Sequence, residues 1–101
     1  MATLDADKLK ELQQIEIELS QIHEESRALD RQKVECDAAI QELQTAPVAY
    51  KIIGPLMIAA KPADLLAQTQ EKEKKISQQL AALKQRQFAL STQHNTITKE
   101  K

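Results

Sequence analysis

A chain of 101 residues allows one domain at most. Charged residues make up 29% and aromatic residues 2%, with Tyr50 and Phe88 the only rings; this argues against an ordinary compact globule and for long helices that each bury a stripe. The net charge of −1 excludes a global attraction to nucleic acid or to an acidic membrane, and no stretch approaches the roughly 20 apolar residues of a membrane span.

The first predicted element is a helix over residues 4–46. Thr3 or Asp5 can cap it, and Asp5 and Asp7 lie near its positive end. Its apolar residues recur at alternating steps of three and four. With Leu12 as position a, the d positions are Ile15, Ile22, Leu29, Cys36 and Leu43, and the a positions are Leu12, Leu19, Ser26, Lys33 and Ile40. Such heptads predict a coiled coil rather than an ordinary surface helix. Pro47 ends the helix, because a proline disfavours the α region for the preceding Ala46.

Residues 48–60 predict a β-hairpin. Tyr50, Ile52, Ile53, Leu56, Met57 and Ile58 are good strand residues, and Gly54-Pro55 supplies the turn. Gly54, the sole glycine, can take the positive φ of a type II′ turn, and Pro55 fits the next position without needing an N–H. A plain helix connection needs two to eight residues, whereas this one is longer and apolar. An isolated two-stranded hairpin is marginal in water, so its open edges should seek other strands. The hairpin therefore reads as an assembly element.

A second helix is predicted over residues 62–100. Pro62 suits its first turn and Asp64 follows closely. Its a positions are Leu66, Glu73, Leu80, Gln87 and His94, and its d positions are Thr69, Ile76, Leu83, Leu90 and Ile97. A bend at Gly54-Pro55 would zip the two helices antiparallel. The layers then run from Leu12/Ile97 and Ile15/His94 through Lys33/Ile76 and Cys36/Glu73 to Leu43/Leu66, and no layer pairs two polar residues. At the flanking positions Glu25 is expected to face Arg86. Residues 1–45 carry eleven acidic and five basic side chains, while residues 46–101 carry nine basic and four acidic, an asymmetry that favours pairing of the halves. The fold class is thus mainly α: a long antiparallel two-helix coiled-coil hairpin with one short β-hairpin at the bend, in a single domain over 1–101.

No catalytic constellation stands out. His23 and His94 fall more than two turns apart in this register, with no further metal ligands at matching spacing. Cys36, the sole cysteine, sits at a d position as a small core residue, has no internal disulfide partner and lacks a nearby His to activate it. Gly54 stands alone, so no glycine-rich loop holds a phosphate. The cluster Lys72-Glu73-Lys74-Lys75 has no interleaved aromatics for stacking on bases. The expectation is a protein that is not an enzyme, with no cofactor and no metal, binding neither nucleic acid nor membrane. With no signal-like run after Leu4 it is expected to be soluble and intracellular. Besides the hairpin, one more surface is notable: Leu4, Leu9 and Leu12 near one end and Ile97 near the other.

The run Tyr50-Lys51-Ile52-Ile53-Gly54-Pro55-Leu56-Met57-Ile58, flanked by two heptad helices in a chain of this length, resembles the β-type subunits of the prefoldin family. The resemblance implies a heterohexamer of α-type and β-type subunits, whose hairpins join into a double β-barrel platform carrying coiled-coil tentacles. It implies a cytoplasmic, ATP-independent holdase whose tips capture unfolded polypeptides such as actin and tubulin chains and deliver them to the cytosolic chaperonin. Tyr50, Ile52, Ile53, Gly54, Pro55, Leu56, Met57 and Ile58 would map onto the platform, and Leu4, Leu9, Leu12 and Ile97 onto the client-binding tip. The alternative from the residues alone is a coiled-coil structural or adaptor protein without chaperone activity.

Overall fold

The computed structural model describes residues 6–99 and contains four elements: helix α1 (Ala6–Thr45), strands β1 (Ala49–Ile53) and β2 (Leu56–Ala60), and helix α2 (Pro62–Lys99). Within the described residues the expected boundaries shift by a residue at most. Ala46 lies outside α1, because the ring of Pro47 pushes it away from the α region. Val48 precedes rather than joins β1. Leu4, the caps read at Thr3 or Asp5, and Glu100 lie outside the described residues.

The start of α2 is explicit. The amides of Asp64 and Leu65 both donate to the Lys61 carbonyl at 3.1 Å, so Lys61 is the capping residue and Pro62 the first helical one. Proline suits that place because its missing N–H has no intrahelical partner there. Asp64 adds a negative charge to the first turn, as Asp7 does in α1.

The chain forms two compact units. The first joins the α1 segment up to Ala28 with the α2 segment from Leu80 on. Its core is a cluster of Leu12, Ile15, Ile22, Leu90 and Ile97, with Leu19 and Leu83 packed against it. Apart from these two, every member is at least nine-tenths buried, and all seven fall on a or d positions of the heptads. Two cross-helix polar contacts fix the direction. Glu16 Oε1 lies 3.3 Å from His94 Nε2, and Glu18 Oε2 lies 2.9 Å from Arg86 Nη2, so the partner number falls as the α1 number rises. The two helix segments of this unit are therefore antiparallel.

Arg86 departs from the expected pairing with Glu25. Both its Nε, at 3.1 Å, and its Nη2 donate to the same oxygen of Glu18. Glu18 and Glu25 occupy the same heptad position seven residues apart, and the long guanidinium arm reaches the earlier of the two.

The second unit spans Leu29–Gln79 and holds the hairpin. Its helical seam is thinner. Cys36 and Ile76 are buried, while Ile40, Leu43, Leu66 and Thr69 are half-buried, as are the charged Lys33 and Glu73. Glu73 Oε1 accepts a hydrogen bond from Ser77 Oγ at 2.9 Å.

Candidate functional surfaces

The β-hairpin has two residues in its loop and a single register: Ile53 opposite Leu56, Ile52 opposite Met57, Lys51 opposite Ile58, Tyr50 opposite Ala59 and Ala49 opposite Ala60. Gly54 has φ +57° and, among the described residues, no non-glycine residue has positive φ. Pro55 therefore keeps a negative φ, which selects type II′ over type I′ as the sequence suggested. A Cβ placed on Gly54 would meet nothing within 4 Å, so the constraint there is purely the backbone conformation.

Strand alternation divides the hairpin into two faces. Tyr50, Ile52, Met57 and Ala59 share one, and Lys51, Ile53, Leu56 and Ile58 share the other. Both faces are exposed. Val48, Tyr50, Ile52, Ile53, Leu56, Met57 and Ile58 all count among the exposed large apolar residues, with Ile52 reaching 71%. Ile53 and Leu56 close a two-residue turn and form the hydrogen-bonded pair. By the alternation of antiparallel pairs, the amides of Tyr50 and Ile52 on one edge and of Met57 and Ala59 on the other then point away from the hairpin. The hairpin thus offers two open edges as well as two apolar faces, which is the chemistry of strand addition.

The structure separates the residues read as a client-binding tip. Leu12 and Ile97 are buried in the seam of the first unit, and Leu9 is 50% exposed. Leu4 lies outside the described residues. Ile97 also lines a shallow groove with Lys8, Glu11, Thr92, Gln93 and Thr96. Elsewhere in this unit Ile17 and Phe88 are exposed, and Phe88 is the most open of the large apolar side chains among the described residues. The heptad could have flagged Phe88, because it falls at position b, one residue after the seam position Gln87.

Among the described residues, no three His, Cys, Asp or Glu side chains converge to hold a metal ion, and no helix is long and apolar enough to cross a membrane. Cys36 is a free, buried thiol. Among the described residues, what stands out is exposed apolar side chains and unpaired strand edges.

Two long helices that bury a heptad stripe, joined by a hairpin left open on every side, define a coiled-coil assembly subunit. The family model for prefoldin subunits matches residues 6–100, nearly the whole chain, and the chain belongs to that family. Its fold is similar to the crystal structure of the prefoldin beta subunit from Thermococcus strain KS-1, with a TM-score of 0.86 at 20% sequence identity. That match covers 99% of this chain and 93% of the other. No match was found among the curated proteins. Family membership makes the chain a chaperone-type subunit that assembles with other prefoldin subunits.

Proposed function

We propose that this chain is a β-type subunit of a hetero-hexameric, ATP-independent holdase. The observation that carries the reading is the hairpin, with seven exposed large apolar residues in an eleven-residue stretch and both strand edges open. Burying one such side chain contributes roughly 1.5–3 kcal/mol, and edge pairing adds directional hydrogen bonds. Tyr50, Ile52, Ile53, Gly54, Pro55, Leu56, Met57 and Ile58 serve as the joint to the α-type and β-type neighbours. The run from Tyr50 to Leu56 is most like that of prefoldin subunit 6. The whole of residues 1–101 acts as one prefoldin-like domain.

The clients are unfolded polypeptides, actin and tubulin chains among them, which the complex holds in the cytosol and delivers to the cytosolic chaperonin. Leu9 supports client contact by its exposure, and Leu4 is the corresponding candidate before it. Ile97 and Leu12 form the apolar floor of the same region, with Ile97 reaching the groove beside Glu11 and Gln93. Each contact is weak. Several subunits gripping one chain convert weak contacts into useful capture, so neither ATP nor a catalytic residue is needed.

Native mass spectrometry of the chain mixed with α-type partners tests the assembly. The expected species is a hexamer containing two partner chains. A stable homodimer that ignores the partners would sink the reading and favour a coiled-coil adaptor. Deleting residues 1–9 from the assembled complex tests the tip: suppression of actin aggregation should fall, and unchanged suppression rules out a client role for Leu4 and Leu9.

A further inference from the structure

Phe88 is the sole phenylalanine of the chain, and 76% of its surface is open. Its helical neighbours at three and four residues are Lys84, Gln85, Ser91 and Thr92, so no large apolar side chain on its own helix shields the ring. Thr92 Oγ1 turns back to donate to the Phe88 carbonyl at 3.0 Å, so its hydroxyl is committed to the helix backbone. Leu9 and Ile17 are also exposed in the same unit.

The area available decides what can cover such a residue. An aromatic side chain buries at most about 150–250 Å². A standing interface between folded proteins needs about 800 Å² per partner around an apolar centre. The polar side chains at three and four residues from Phe88 cannot supply that centre, whereas the six exposed large apolar side chains of the hairpin strands can. A single open ring on a rigid helix instead suits brief contact with an apolar side chain of an extended polypeptide. The helix offers such a chain no free backbone edge, so the contact reads apolarity rather than sequence.

We propose that Phe88 is a client-contact residue on the flank of α2, taking apolar segments of non-native polypeptides in addition to any contact made at Leu9. The proposal rests on the holdase reading. It extends the client surface from the end of the seam to the outer side of the helix.

The test places the photo-crosslinker p-benzoylphenylalanine at position 88, and separately at position 9, in the complex assembled with its partner subunits. The probe is guanidine-unfolded actin on dilution, with native actin as the control. The expected result is an adduct from position 88 to unfolded actin and none above background to native actin. In parallel, Phe88→Ser should weaken capture of unfolded actin about two- to five-fold, with Phe88→Leu retaining most of it. An adduct to a neighbouring subunit, equal adducts to native and unfolded actin, or full capture by Phe88→Ser would each overturn the proposal. Adducts from position 9 but not from 88 would overturn it while leaving the holdase reading intact. Failure of the unsubstituted complex to hold unfolded actin would overturn the holdase reading itself.

Discussion

Ile22 in α1 is buried in a cluster that includes Leu90, whereas Ile52 in β1 is 71% exposed. The side chains are the same and the local structures are each regular, so residue type does not explain the difference. Periodicity does. In the first unit, apolar residues recur every three and four positions, which gathers them on one stripe that a second helix covers. In the hairpin, apolar residues run consecutively from Ile52 to Ile53 and from Leu56 to Ile58, which sends them to both faces of a two-stranded ribbon. A ribbon with two apolar faces cannot be covered by one neighbour from its own chain. The first unit buries its heptad stripe internally, and the hairpin leaves both of its faces exposed.

The largest expected effect breaks the hairpin side of this comparison. Placing Ile52→Asp together with Met57→Asp puts two like charges directly opposite each other on one face. Incorporation into a hexamer should be lost by native mass spectrometry, while the far-UV circular dichroism of the isolated chain keeps its helical signal. A persisting hexamer would show that this face is not part of the joint. Loss of helicity in the isolated chain would show that the hairpin also serves the chain's own core.

Next in size is a cut in the seam. Leu90, 3% exposed, is the most buried of the core residues. Leu90→Ala should destabilise the first unit by about 2–4 kcal/mol through lost burial and an unfilled cavity. Amide hydrogen exchange in the assembled complex should then accelerate in residues 80–99 and in α1 up to Ala28, with strand amides of the hairpin unchanged. Equal acceleration in the hairpin would erase the distinction between the two regions.

Most of this division was legible in the sequence, for identifiable reasons. The heptads gave the seam because the d positions of α1 are apolar throughout, even though polar residues such as Ser26 and Lys33 break the a series, and Pro47, Gly54 and Pro62 punctuated the elements through fixed backbone preferences. The hairpin and its type II′ turn followed from Gly-Pro between strand-forming runs. The state of individual side chains at the end of the seam was less legible. Leu12 and Ile97 read both as seam positions and as tip residues, and the folded structure buries them in the seam. Phe88 carried a signal in its b position, but an aromatic residue invites placement in a core. The partner of Arg86 was not legible at all, because a flexible arm can choose between two glutamates one heptad apart.

A smaller effect sharpens the description of the turn. Gly54→Ala introduces a Cβ into open space, so any penalty comes from the positive φ alone. An L-residue in the left-handed region costs about 1–2 kcal/mol, and a D-alanine at the same place avoids it. If the hairpin must be preformed to join its neighbours, Gly54→Ala should weaken assembly about five- to thirty-fold, and the D-alanine chain, made by ligation, should assemble normally. Equal behaviour of the two alanines would mean that the turn reforms freely during assembly.

The smallest effect concerns the ion pair that flanks the seam. Arg86 and Glu18 are both partly open to solvent, with 55% and 36% of their side chains exposed, and the two donated hydrogen bonds share one carboxylate oxygen. Water screens such a pair, so its coupling should be about 0.2–1 kcal/mol. A double-mutant cycle of Arg86→Gln with Glu18→Gln, read by urea unfolding and repeated with Glu25→Gln, separates the two glutamates. Coupling should appear with Glu18 and vanish with Glu25. Coupling to both would mean that Arg86 alternates between two sites one heptad apart and contributes to the charge balance of the helices rather than to their register. Register would then rest on the apolar cluster around Leu90 and on the contact between Glu16 and His94.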